Sequence, residues 1–328
     1  MQLKQIARDV LLKPLQAVSG IVERRHTLPI LANVLIEPKD GALELTATDL
    51  EMQITALADC EAKAGAATTV SARKLHDLLR ALPDDATLNI DVSGSRMTVR
   101  AGRSRFNLQT LAAGDYPRIS LGQDKLQSLS LPQKDLRALF RLVEFAMAQQ
   151  DIRYYLNGML LVIDRGSLQA VATDGHRLSW ASLAVDGEFT RQEVILPRKT
   201  VLELGKLLVD SDDPVSIDIL ANQVRFRFAN VELVSKVVDG KFPDYNRVIP
   251  KTLKNSVTLG RTPLLSSLQR AAILTSEKFK AVRVNIEPGT LRISSSNAEQ
   301  EEAKEELEID YAGDTIEMMR DLATYSSE

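Results

Sequence analysis

The sequence predicts an α+β protein built from three tandem copies of one unit, each with two helices on antiparallel sheet. Three observations predict it. Landmarks recur at one spacing: "LELTATDLEM" (43–52) aligns with "LQAVATDGHR" (168–177), setting Thr48–Asp49 over Thr173–Asp174, 125 residues apart. "SARKLHDLLRALPDD" (71–85) aligns with "LPRKTVLELGKLLVDSDD" (196–213), with Arg73–Lys74 on Arg198–Lys199 at the same 125. Turn glycines in "PKDGALEL", "DRGSLQAV" and "EPGTLRIS" (Gly41, Gly166, Gly289) fall at offsets of 125 and 123, and Pro117 in "GDYPRI" lies 126 before Pro243 in "GKFPDYNRV". These landmarks bound the copies at residues 1–125, 126–250 and 251–328.

Each copy opens on an amphipathic helix. In the first, Ile6, Val10 and Val18 recur at helical spacing, with a kink expected at Pro14. In the second, Leu136, Leu139, Phe140, Val143 and Met147 do so; in the third, Leu264, Leu265, Leu268, Ala271 and Ala272. Alternating strands joined by glycine turns follow, then a second helix (Leu75, Leu78, Leu79, Leu82; or Val201, Leu204, Leu208), then more strands. Asp174–Gly175 reads as a two-residue hairpin turn with φ > 0 at both positions. At the same period the third copy would run to roughly residue 370, past the last residue, 328.

At 328 residues, two or three domains are expected. Apolar residues at 44% and charged residues at 26% fit a globular chain, and no apolar run is long enough to span a membrane. The amino terminus lacks the plan of a secretory signal, and the single Cys60 cannot form an internal disulfide. A reducing cytoplasm is the expected location. The net charge of −3 gives no sign of nucleic acid taken whole, although an average hides any basic face.

Asp174, His176 and Arg177 sit close enough to suggest acid–base chemistry. The first copy has Leu50 and Met52 in place of Gly175 and Arg177, so those charges are not part of the repeated scaffold. No orienting partner or nucleophile stands nearby in sequence, which argues against catalysis and leaves a solvated hairpin tip or a binding surface. His26, His76 and His176 lack ligand spacing, so no metal site is expected. No glycine-rich nucleotide motif occurs, and no cofactor is expected.

Basic residues recur by position: Arg73, Lys74 and Arg80 on one second helix, Arg198 and Lys199 on its counterpart, and Arg24–Arg25 after the first helix. "AQQDIRYYLNG" adds Gln150, Arg153, Tyr154 and Tyr155. Such residues suit phosphate contacts without base readout; the alternative is a solvated helix face. "RMTVRAGRSRFNL" carries Arg96, Arg100, Arg103 and Arg105, while "NAEQEEAKEELEID" carries Glu299, Glu301, Glu302, Glu305, Glu306, Glu308 and Asp310. A basic edge in copy one and an acidic edge in copy three invite head-to-tail association, unless the acids only keep that edge soluble.

"LLKPLQAVSGIVERRHTLPIL", "GRSRFNLQTL", "QDIRYYLNGML", "VATDGHRL", "LVDGKFPDYNRVIPK", "RAAILTSEKFKAVR" and "EQEEAKEEL" closely resemble the β sliding clamp of bacterial DNA polymerase III, from residue 1 to about 317. The resemblance implies a non-enzymatic processivity factor. In that family two subunits close head to tail into a ring that encircles duplex DNA without sequence preference. It further implies a pocket for short linear motifs of the polymerase III alpha subunit, the clamp loader and other clamp-binding proteins. The matching pocket positions are Leu156, Thr173, Gly175, His176, Arg177, Leu178, Pro243, Arg247 and Val248; the DNA-contacting ones are Arg25, Arg73, Gln150, Tyr154 and Tyr155. Phe106, Leu108, Ile273 and Leu274 match the subunit contact, beside the charged residues Arg96, Arg103, Arg105, Glu299, Glu301, Glu302 and Glu305. After "AGDTIE" the chain reads "MMRDLATYSSE" in place of the family's second helix and final strands, which predicts an incomplete third unit.

Overall fold

The computed structural model describes residues 1–23, 28–39, 41–60, 65–275 and 281–321. The first unit runs β1 (Gln2–Ala7), α1 (Arg8–Ser19), β2 (Asn33–Lys39), β3 (Ala42–Thr48), β4 (Met52–Ala58), β5 (Thr68–Ser71), α2 (Ala72–Ala81), β6 (Thr87–Ser93), β7 (Arg96–Ala101) and β8 (Ser104–Ala112). The second repeats that order: β9 (Lys125–Pro132), α3 (Gln133–Arg141), β10 (Gly158–Asp164), β11 (Ser167–Thr173), β12 (Leu178–Ala184), β13 (Gln192–Pro197), α4 (Arg198–Leu207), β14 (Pro214–Leu220), β15 (Gln223–Phe228) and β16 (Val231–Lys236). The third comprises α5 (Arg261–Ala272), β17 (Ala281–Glu287), β18 (Thr290–Ser296), β19 (Glu302–Glu308) and β20 (Ile316–Asp321). No described helix is long and apolar enough to cross a membrane.

All ladders are antiparallel. Twelve strands form one sheet in the order β1-β6-β7-β8-β5-β2-β3-β4-β16-β15-β14-β9, which crosses from unit one to unit two where β4 pairs with β16. The rest of unit two forms β12-β11-β10-β13, and the third unit forms β19-β18-β17-β20. Helix α1 packs on α2, and α3 on α4. Their apolar faces (Leu11, Leu15 and Val18; Leu75 and Leu79; Leu136 and Phe140; Val201 and Leu204) share one core with the strands of both units. A separate core in the third unit holds Leu268, Ala271, Val282, Val284, Leu291, Ile293, Ile309 and Tyr311.

Several expectations are corrected. Ile6 lies in β1, not in the first helix, and α1 continues unbroken through Pro14. Helix α3 stops at Arg141; Val143 and Met147 are buried by a 3-10 turn, Glu144–Ala146, that carries the apolar spacing beyond the helix. Leu82 and Leu208 cap α2 and α4 from outside. The departure after Glu317 still forms structure: Met318 pairs with Val284 and Asp321 with Ala281, the place in the repeat held by β5 and β13. Among the described residues one helix, α5, packs on the third unit's sheet.

Candidate functional site

The repeated Thr–Asp pair is a loop-building device. Between β11 and β12, Thr173 faces Leu178, so the loop has four residues, Asp174 to Arg177, and only Gly175 has positive φ (+89°). The two-residue turn expected there is thereby corrected. Asp174 Oδ1 accepts the His176 and Arg177 N–H groups at 2.9 and 3.0 Å; Thr173 Oγ1 donates to the Arg177 carbonyl at 2.6 Å and accepts the Gly175 N–H at 3.1 Å. Unit one repeats the pattern: Asp49 accepts from Glu51 and Met52, Thr48 bonds Met52 O and Leu50 N, and Leu50 takes φ +77°. The short side chains satisfy four backbone groups that a tight loop leaves open. In unit three, Asn297 stands in place of the aspartate in a loop one residue longer, accepting the Glu301 N–H at 2.9 Å.

The second loop differs from the first in what surrounds it. Asp49 is covered by Lys199 of α4, which also bonds Glu23 at 2.8 Å, so this cation is held at the joint between units. Lys199 was expected to reach phosphate; instead it is neutralised at that joint, and Arg198 Nη1 donates to the Met147 carbonyl at 3.2 Å. The Asp174 loop instead opens onto a cleft of about 440 Å³ lined by Arg153, Leu156, Thr173, Gly175, His176, Arg177, Leu178, Phe242, Pro243, Asp244, Tyr245 and Val248. Buried Leu156, Phe242 and Tyr245 form its apolar floor with Val171 and Ile195 beneath.

All the expected cleft residues line it except Arg247, which is 85% exposed and pairs with Asp244 at 3.0 Å. Sequence reasoning missed Arg153, Phe242, Asp244 and Tyr245, although "KFPDY" repeats the "DYP" of unit one, where Tyr116 ties its segment to Thr48 N and Asn33 O at 3.2 Å. Burial pushes the Tyr116 hydroxyl up to about 12. Arg153 grips Asp151 through two bonds and donates to the Asp174 carbonyl at 3.2 Å, holding the rim. Its hydrogen bonds hold the Asp151 carboxyl down at about 2. Burial would raise the Asp174 carboxyl, but hydrogen bonds from Arg177 and from the His176 and Arg177 N–H groups hold it below the usual carboxylate range. A carboxylate so committed is a scaffold and a poor proton acceptor.

Arg25 and His26 lie outside the described residues. Arg73 is exposed on α2, 3.6 Å from Asp77, beside exposed Lys74 and Arg80. Gln150 is exposed with φ +56°, and Tyr154, 57% exposed, meets half-buried Tyr155 edge to face at 5.8 Å. These residues occupy α2 and the segment before β10, and the latter also carries the cleft's Arg153 and Leu156.

The charged strands are sheet edges. β19 is the outer strand of its sheet, and β8 pairs on one side with β7 and on the other with β5 only through Thr110–Ala112. Arg96, Arg103 and Arg105 are exposed, and Phe106 and Leu108 are half-buried on the opposite face. Ile273, 76% exposed, and half-buried Leu274 follow α5. Glu299, Glu301 and Glu302 are exposed; Glu305 is committed within its own unit, bonded by Arg270 at 2.9 and 2.5 Å. Among the described residues no group of His, Cys, Asp and Glu is arranged to hold a metal.

Comparison with known proteins accounts for this arrangement. The DNA polymerase III beta subunit N-terminal, central and C-terminal domain patterns match residues 1–120, 130–244 and 246–320. The chain is 46% identical over 315 residues to the beta sliding clamp of Pseudomonas putida, covering 95% of this chain and 86% of that protein. Against the beta sliding clamp of Escherichia coli K12 it is 44% identical over 314 residues, with the same coverage. The Pseudomonas aeruginosa DnaN sliding clamp, solved bound to griselimycin, superposes with a TM-score of 0.92 at 44% identity over 98% of this chain and 88% of that one. Caulobacter crescentus pol III beta superposes with a TM-score of 0.88 at 36% identity over 99% and 89%. The chain belongs to the β sliding clamp family, the beta subunits of DNA polymerase III, and its function is that of a DNA polymerase processivity factor.

Proposed function

We propose that the chain acts in the cytoplasm as a non-catalytic tether that closes head to tail with a second copy, β8 of one against β19 of the other, around duplex DNA. The cleft beside the Asp174 loop then holds short peptides of the polymerase alpha subunit, the clamp loader and other partners. The observation that carries the assembly is the β4–β16 joint inside the chain. There Gln53 faces Val234, Ile54 faces Leu233 and Ala56 faces Val231. In the repeat, β8 stands for β16 and β19 for β4. Transferring the register sets Asn107 against Glu302, Phe106 against Ala303 and Arg103 against Glu306. Arg105 then lies diagonal to Glu302 and Glu306, within reach for cross-strand charge pairs. Phe106 and Leu108 fall on the face toward Ile273 and Leu274, giving that edge an apolar underside.

DNA contact through Arg25, Arg73, Gln150, Tyr154 and Tyr155 is electrostatic, so affinity falls with salt and ignores base sequence. The cleft's apolar floor and polar rim suit a peptide with apolar anchors. The register supplies the test. A protein with Asn107→Cys and Glu302→Cys, oxidised at the concentration where it dimerises, should form an intersubunit disulfide. Moving one partner to Lys304→Cys should lose most of it. Equal yield from both pairs, or none from either, rules out this seam.

A further inference from the structure

Among the described residues, nearly every free sheet edge is blunted. β1 carries Lys4 and a bulge between Leu3 and Ile6; β9 meets a register shift at Ile219/Leu220 and ends on Pro132. β13 carries Glu193 and ends on Pro197, and Val238 N already donates to its Ile195 carbonyl at 2.8 Å. β20 carries Glu317, β8 its arginines and β19 its glutamates. Charges, prolines and bulges are the usual guards of an edge that must stay unpaired or pair only reversibly.

β12 is the exception. Its sequence, "LSWASLA", has no charge and no proline, and it pairs with β11 without a shift from Thr173–Leu178 to Ser167–Ala184. Its other edge is open. The repeat explains what such an edge is for. β4, which follows the equivalent Thr–Asp loop, reads "MQITALA", is equally free of charge, and has that same edge filled by β16.

We propose that the open edge of β12 pairs with β12 of a second copy of this chain, antiparallel about a two-fold axis near Ala181, joining two four-stranded sheets into one. Two arguments select that occupant. The β8 and β19 edges of another copy would bring arginines or glutamates against an uncharged strand, whereas β12 brings none. The outward side chains also match in size. Along one face β12 presents Leu178, Trp180, Ser182 and Ala184, large to small, so a two-fold at Ala181 sets Trp180 against the partner's Ser182 and Leu178 against the partner's Ala184. An isologous contact of this kind is self-complementary by construction. Trp180, 47% exposed, is placed to report on it. Its Nε1 donates to Gln169 Oε1 at 3.4 Å, and the same oxygen accepts from Tyr245 at 3.3 Å on the cleft floor.

This contact is separate from the charged β8–β19 seam, and the test distinguishes them. Sedimentation of the 328-residue protein is followed over concentration in high salt, which weakens the charged seam, together with emission from Trp180, its single tryptophan. A dimer with blue-shifted emission should form. Ser182→Lys should raise its dissociation constant at least ~10-fold. Ser182→Ala and Arg105→Glu should leave it unchanged. A monomer at every concentration, or a dimer indifferent to Ser182→Lys, overturns the proposal.

Discussion

Asp218, on β14, is 1% exposed and ringed by cations: Lys125 at 2.7 Å, Arg225 at 2.6 Å and Arg227 at 3.2 Å, with Ser128 donating at 2.7 Å. Burial would raise its carboxyl, but the hydrogen bonds from Lys125, Ser128 and Arg225 outweigh it and hold the group well below the usual range. A carboxyl depressed in the folded state stabilises the fold above its unfolded pKa, about 4. That contribution is lost as pH falls toward the folded value. Asp218→Asn should therefore cost about 2–3 kcal/mol near neutrality, because three cations lose their counter-charge. It should also flatten the loss of stability below about pH 4. Urea midpoints against pH for both proteins check this; parallel curves would assign the acid sensitivity to other carboxylates. At the cleft, Leu178 joins the apolar floor. Leu178→Ala should weaken a bound peptide with apolar anchors by about 1–3 kcal/mol. Equal affinity in titrations would put the peptide elsewhere.

Among the elements, the β10–β13 ladder depends on one glycine. A Cβ on Gly158 would lie 2.4 Å from the Leu196 carbonyl oxygen, which is backbone and cannot swing aside. Gly158 pairs with Pro197 at the start of the ladder, one residue before the Arg198 N–H that donates to the Asn157 carbonyl. Gly158→Ala should push β13 away from β10 and cost about 1–3 kcal/mol. Thermal melts measure the cost. Protection of the Leu160 and Val162 amides should fall first, since these face β13 and underlie the cleft. A substitution that leaves the melt unchanged would mean that the sheet absorbs the displacement.

Across the whole molecule, units one and two share a sheet through β4–β16 and a single core, whereas unit three has its own small core under one described helix. A unit of about 60 residues buries the smallest share of its surface and is marginal alone. Heating should therefore give two transitions, the third unit first, and hydrogen exchange should be fast after about residue 257 with units one and two still protected. One cooperative transition would show that the third unit draws stability from the others.

The sequence by itself determined the repeat, the fold class and most of the cleft. Thr–Asp at 48–49 and 173–174, and the proline segments near 117 and 243, recur because the same loop chemistry is needed twice. Apolar spacing located the helices, but it ran past the end of α3 because a 3-10 turn buries Val143 and Met147 on the same face. Only the tertiary structure decided how each charge is used. Lys199 and Arg73 read alike in sequence, yet Lys199 is neutralised at the joint by Glu23 and Asp49, and Arg73 stays exposed. Glu305 reads as one more acid of an open edge and is bonded by Arg270 from α5. Burial and partner distance fix the worth of a charge, and both are set by residues far away in the chain. For the same reason β4 and β12, equally uncharged, differ in role: β16 lies against one, and no described strand lies against the other.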